Sequence, residues 1–417
     1  MKKLFLVILV LSGILLAQNN NPEITSGEIK DHIAYLASDE LEGRMTGTHE
    51  LYKAAEFLKN EFESYGLKPL FNGSYFQEFP FMEKLELGDN ELTIIANGKE
   101  KKLELSKDFT PLGFTDNQKA DGNIVFAGYG ITAKDLNYDD YSGLDVKDKI
   151  VIVFRNHPDM KTPHSKFDQY SSLRYKTTTA RDNGAKGIIF VNTKDNKDDA
   201  LVEFKYDNAA KIKDISVVSA KRESLNFIPL VELQNQIDST LAPKSYLLES
   251  NIKASISTEV IEVQGKSVNV GAYLDAANDK FKDEYLVLGA HFDHLGWGGQ
   301  NSLYMGEPAI HNGADDNASG TSGLLELAEK FASIKNQLDR KIVFIAFSGE
   351  ELGLLGSSYV VNNFPLPIEN DITMINMDMI GRLNDKNDLI VYGTGTSSKW
   401  KNILDDKNEY DLNLTFN

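Results

Sequence analysis

No cysteine occurs among the 417 residues. Disulfides, thiolate nucleophiles and thiolate metal sites are therefore excluded, and any catalytic metal must be held by His, Asp and Glu. Positive charge is short as well: 44 Lys and Arg stand against 62 Asp and Glu, a formal net charge of −18. A surplus of that sign repels phosphate backbones and anionic lipid, which argues against nucleic acid or a membrane surface as partner. Apolar runs of the about 20 residues needed to span a bilayer are missing too. The one candidate, Leu4 to Leu16, follows Met1-Lys2-Lys3, leads into Ala17-Gln18 and is cut short by Asn19, Asn20 and Asn21. This is the pattern of a cleaved secretory signal over residues 1–17, with a membrane anchor as the alternative. The expectation is an exported protein, secreted or periplasmic, with no membrane contact after cleavage. A P-loop, a G-x-S-x-G elbow and H-E-x-x-H are also absent, and Gly128-Tyr129-Gly130 lacks the third glycine of a dinucleotide fingerprint. What remains has an ordinary globular composition, 41% hydrophobic and 25% charged.

At roughly 150 residues per domain, the length predicts two or three domains. A helical period runs from Thr25 to Leu67, with Ser26 as the expected cap of a first helix and Gly66 as the stop of a second. From about Leu92 the texture changes to short strand-like runs at 93–96, 123–127, 149–154 and 187–192, interrupted by one helical stretch at 171–183. After residue 262, strands that are apolar nearly throughout (285–290, 342–347, 373–377) alternate with helical stretches (319–334, 352–362). That alternation indicates a sheet covered on both faces. The predicted architecture is α/β, a mixed, mostly parallel sheet with helices on both faces. It is built from 18–112 and 262–417, with a β-rich module over 113–261 inserted.

Four clusters sit where strands of the α/β part end, the place where such sheets bind ligands. In Gly289-Ala290-His291-Phe292-Asp293-His294, residues His291 and Asp293 share a face of extended chain. Asp293 is placed to receive the second imidazole N–H of a ligating His291. Gly313-Ala314-Asp315-Asp316-Asn317-Ala318-Ser319-Gly320 puts two carboxylates at the mouth of a helix, where they would also serve as simple caps. In Ser348-Gly349-Glu350-Glu351-Leu352-Gly353, adjacent glutamates at a strand end point to different sides. Asn376-Met377-Asp378-Met379 sets an ionisable side chain inside an apolar run, which is expensive unless a cation compensates it. Jointly they supply one His and several carboxylates, a donor set suited to zinc in a two-metal hydrolytic site.

In this order the four motifs resemble the di-zinc exopeptidases, a family of secreted aminopeptidases with glutamate carboxypeptidase-like and glutaminyl cyclase-like relatives. Leu36-Ala37-Ser38-Asp39-Glu40-Leu41-Glu42-Gly43-Arg44 is similar to a segment near the start of many bacterial members. The region from Gly122 to about Leu241 resembles the protease-associated domain that several members carry as an insert. The resemblance implies a zinc exopeptidase-like fold, peptide substrates and two zinc ions. His291 and Asp378 would bind one ion, Asp316 would bridge both and Glu351 would bind the second. Glu350 would be the general base, Asp293 would orient His291, and Asp315 would not be a ligand. His294 and His311 take no family role and read as loop or rim residues. Trp297, Tyr304 and Phe292 are candidates for the wall of a substrate pocket.

The departure lies at the fifth ligand. The family completes the second zinc with a His well downstream of the position of Asp378, and none of the seven histidines here follows Asp378. The expectation is a chain lacking its C-terminal part, with the second site short of its imidazole. The leading reading is an exported zinc aminopeptidase. The alternatives are a carboxypeptidase or glutaminyl cyclase of the same fold, or an inactive binding protein on that scaffold. Neither composition nor motif assigns an oligomeric state.

Overall fold

The computed structural model describes residues 23–417 except 97, 207–208, 250, 299–301, 305 and 411. The signal segment expected over 1–17 lies outside the described residues. The chain divides into two compact units, one formed by the residues up to Phe81 together with Lys266–Asn417, the other by Met82–Gly265.

The first unit is built on a six-stranded mixed sheet. Its main path runs Lys68–Pro69, Val260–Leu274, Lys341–Phe347, Tyr285–His291 and Asp371–Asn376, with Phe76–Leu87 also paired to Val260–Leu274. Tyr285–His291 runs parallel to both of its neighbours. Val260–Leu274 is antiparallel to Lys341–Phe347 and to Lys68–Pro69. The apolar run of the central strands follows from burial on both faces. Leu288, Ala290, Ile342, Phe344 and Ala346 pack on one side with Leu51, Leu58, Phe62, Leu324 and Leu325. The alternate residues Tyr285, Val287, Val343, Ile345 and Phe347 pack on the other with Leu70, Phe71 and Val360. The helices Ser26–Leu36, His49–Ser64 and Gly320–Ser333 thus supply the first face, and Leu355–Asn362 contributes to the second.

Two expectations are corrected here. The first helix is capped by Thr25, not Ser26: Thr25 is extended, as a cap must be, and its hydroxyl accepts the Glu28 N–H at 3.3 Å. The strand expected to be buried at 373–377 is Asp371–Asn376, and it exposes Ile372, Met374 and Ile375 by about half. Among the described residues it lies at the end of the sheet and pairs with Tyr285–His291 alone.

The second unit carries a nine-stranded sheet. Its buried centre is three parallel strands, Ile150–Phe154, Gly187–Val191 and Ser216–Ala220, whose alternate residues feed two separate apolar cores. Among the described residues, no helix is long and apolar enough to cross a membrane.

Candidate metal centre

Register decides which side chains meet. His291 stands opposite Phe347, and Gly289 opposite Asn376, across parallel pairs. The residues that leave these three strands, 292–294, 348–351 and 377–379, therefore emerge at the same edge of the sheet. A fourth segment, Gly313 to Ser319, arrives beneath them and feeds the helix Gly320–Ser333. Asn317 binds this segment to the Asp378 loop: its amide donates to Met377 O at 3.0 Å, and its oxygen accepts the N–H groups of Gly320 and Met379 at 3.0 and 3.2 Å. The Asp316–Asn317 peptide is cis. Thr321 at the start of the helix donates to His291 O at 2.7 Å.

Two groups of donors result. Buried His291 has Nε2 3.2 Å from Asp316 Oδ1 and 3.4 Å from Asp378 Oδ1. His294 has Nδ1 2.6 Å from Glu351 Oε1 and 4.0 Å from the same Asp316 oxygen. Within each group all ligating atoms lie within 4.8 Å of one another. Asp316 belongs to both groups; Asp378 is nearly half exposed, so its proximity to His291, not deep burial, marks it.

Supporting contacts run through Asp293, which is fully buried. Its carboxylate lies 3.6 Å from His291 Nδ1 and accepts from the Thr46 hydroxyl at 2.9 Å. It also accepts the backbone N–H groups of Glu350 and Glu351, at 3.1 and 3.4 Å. Asp315 turns away, accepting from Gly381 N and Arg382 Nε at 2.9 Å each. Arg44, wholly buried, donates to Phe292 O at 2.8 Å, Asn312 O at 2.7 Å and Gly313 O at 3.0 Å, and to Leu36 O. One guanidinium thus ties the His291–His294 loop to the loop that delivers Asp316.

The electrostatics are those of an acidic pocket. Burial acts to lower the pKa of His291, but hydrogen bonding to Asp293, Asp316 and Asp378 overrides it and pushes the group up to about 12. Burial raises Glu350, opposed by His291 and reinforced by Glu351, Asp293 and Asp378. Arg44 is lowered by burial to about 10 and held there by Asp293, Asp316 and Glu351. Zinc is a reasonable fit to this pocket. Two ligands about 2.1 Å from a tetrahedral ion stand about 3.4 Å apart, and the Nε2 of His291 keeps that spacing from both of its partners. The donors are imidazole and carboxylate only, and the crowded carboxylates call for a cation.

Phe292, a candidate for the pocket wall, is instead fully buried in the core. Trp297 and Tyr304 are exposed. His294 also departs from expectation. It is not a rim residue but buried against Glu351. The spacing H-x-D-H carried that signal only weakly, because the turn after the strand decides which way its last residue points.

Two segments of the chain match families of known proteins. Residues 269–413 match the model of peptidase family M28, and residues 110–228 match the PA domain. The matched segment contains all four motifs, and the PA match falls inside the unit Met82–Gly265. Aminopeptidase YwaD of Bacillus subtilis is 27% identical over 300 residues, covering 70% of this chain and 52% of that protein. A probable zinc metalloprotease of Pyrenophora tritici-repentis is 39% identical over 99 residues, 24% of this chain and 21% of that protein. The chain thus spans about half the length of the first relative and a fifth of the second. Among solved structures, an aminopeptidase from Aneurinibacillus sp. strain AM-1 aligns with a TM-score of 0.48 at 23% identity, covering 89% of this chain and 74% of that one.

Proposed function

We propose that the protein is an exported zinc aminopeptidase that removes N-terminal residues from peptides. The observation that carries this reading is the pair of donor groups sharing Asp316 at the sheet edge of the M28 segment. In this reading His291 and Asp378 hold one ion, Asp316 bridges, Glu351 holds the second, and Asp293 fixes the tautomer and orientation of His291. Bound zinc would supply a Lewis acid for the scissile carbonyl and make the attacking water more acidic. Glu350 would take the proton of that water and return it to the leaving amine, a task suited to a carboxyl that burial has raised. Export rests on the sequence of residues 1–17. Residues 18–112 and 262–417 form the catalytic part, and 113–261 the inserted PA module.

The test is a pair of dipeptides, one blocked at the amine and one at the carboxylate, offered to the zinc-loaded chain. Cleavage of the carboxylate-blocked substrate alone, lost on chelation and restored by zinc, is expected. Cleavage of only the amine-blocked substrate would assign a carboxypeptidase instead. Cyclisation of N-terminal glutamine would assign a cyclase.

A further inference from the structure

We infer that Glu326 is a neutral acid in the folded protein, and that its proton lets the helices Ser26–Leu36 and His49–Ser64 close on Gly320–Ser333 beneath the candidate metal centre. Alkaline pH, by removing that proton, loosens the helix layer. The inference does not depend on the reaction proposed above.

Three observations place the proton. Glu326 lies in the middle of Gly320–Ser333 with 2% of its surface exposed. Its Oε1 is shut off from solvent and, among the described residues, accepts no hydrogen bond. An ionised carboxylate there would lack the donors that a buried charge requires. The surrounding groups add no compensating charge: Glu28 and Asp31 belong to the first helix, Glu61 and Tyr65 to the second, and Glu329 to the third. Tyr65 donates to Glu61 at 2.9 Å, and Lys330 on the third helix pairs with Glu23 at 3.2 Å. The basic group set against Glu326 is His32, whose Nε2 stands 3.2 Å from Oε1. That ring packs edge-on against Phe57 at 5.8 Å and makes no hydrogen bond to Oε1, as a charged imidazolium–carboxylate pair would.

Burial acts on both groups. It pushes Glu326 up to about 7, with Glu28, Glu329 and Glu61 acting the same way, and lowers His32 against the pull of Glu61, Asp31 and Glu28. Both directions describe a neutral carboxyl beside a neutral ring. An unfolded glutamate loses its proton near about 4.3. The folded chain alone keeps it from there to about pH 7, so the stability that Glu326 contributes falls as pH rises through that window. His32 works in the opposite sense below about 6.5. The helix that carries Glu326 begins beside Thr321, about 7.5 Å away along its axis, and Thr321 donates to His291 O at 2.7 Å. Loosening at Glu326 is therefore felt at the strand end that carries His291.

Amide hydrogen exchange over Gly320–Ser333 tests this in the full chain. Protection, corrected for the intrinsic rate, is measured at pH 6 and 8 and at fixed zinc in wild type and in Glu326→Gln, whose amide cannot ionise. His32 is common to both chains. Protection in wild type is expected to fall about tenfold relative to the variant, the effect of one proton over one pH unit. An equal response in the two chains would overturn the inference. Should Glu326→Gln fail to fold, Glu326→Met is read in the same way. The ring nitrogen shifts of His32 in wild type, assigned by their loss in His32→Gln, are expected to show a neutral ring at pH 6. A doubly protonated ring there would make the pair charged and overturn the inference.

Discussion

Asp293 has no access to solvent, and its carboxylate faces His291, Thr46 and the amides of Glu350 and Glu351 at once. An amide at this position keeps the shape but turns a donor toward groups that are themselves donors. Asp293→Asn is therefore expected to weaken zinc binding about 10- to 100-fold, as loss of an outer contact does, measured by competition with a chromogenic chelator. Glu350→Gln acts differently. Turnover is expected to fall by about 10²- to 10⁴-fold while bound zinc stays at the wild-type level; retained activity in that variant would remove Glu350 from the proton path. At this scale the ordered motifs named His291, Asp316, Glu351 and Asp378, whose donor atoms fall in two groups that share Asp316. His294 was not legible, because a ring three residues past a metal-ligand candidate goes wherever the turn sends it. Phe292 was misread because an aromatic beside an active-site motif is as readily part of the core beneath it.

At the scale of elements, two positions hold the loops in register. Arg44 crosses from the strand-end loop to the Asp316 loop through carbonyl oxygens alone. Arg44→Ala takes the guanidinium donor from the carbonyl oxygens of Leu36, Phe292 and Asn312, while Gly313 O keeps the Ala318 N–H, and is expected to cost about 3 kcal/mol of stability, read as a lower thermal midpoint at fixed zinc. Arg44→Lys recovers only part of it, since an ammonium cannot span the same fork. Gly320 opens the helix under His291, and a Cβ there would stand 2.5 Å from Asn317 Oδ1 and closer still to Met377 O. Alanine favours a helix by about 1 kcal/mol over glycine, yet overlap with a backbone oxygen outweighs that gain. Gly320→Ala is expected to push the Asp378 loop aside and lower zinc affinity, checked by the same chelator competition. The central strands and the helices that cover them were legible, because burial on both faces leaves a continuous apolar run. Among the described residues, the strand Asp371–Asn376 carries the same kind of run with about half of the surface of Ile372, Met374 and Ile375 open.

At the scale of the molecule, the two units answer to different conditions. The residues proposed to hold metal lie in the first, and an ion bound to the folded form alone would raise its stability by RT ln(1 + [L]/Kd), about 2.7 kcal/mol at a hundredfold excess over Kd. The second carries a buried amine. Lys176 donates to Phe154 O at 2.8 Å and to Asn156 O, and burial pushes it down to about 7, against the pull of Asp140. Asp140, which accepts from Tyr129 N, Ile131 N and Tyr138 OH, is pushed up by burial to about 7. Between pH 7 and the ordinary lysine value, the unfolded chain holds a proton on Lys176 that the folded chain has released. Stability of this unit therefore rises with pH over that window, with a slope of at most one proton, about 1.4 kcal/mol per pH unit. Asp140, with its folded value at about 7, opposes the rise at the lower end of the window and adds no slope well above it, where it is ionised in both states. Calorimetry at pH 8.5 and 9.5 is expected to show the rise in wild type and a smaller one in Lys176→Met.

The central claim, two zinc ions acting together on a free N-terminus, is tested most directly by titrating the metal-free chain with zinc. Hydrolysis of a carboxylate-blocked dipeptide is followed alongside metal uptake. Activity is expected to be absent without zinc and to climb with uptake to a plateau at two ions per chain. Full activity without zinc, or no activity with both positions filled, would contradict the account.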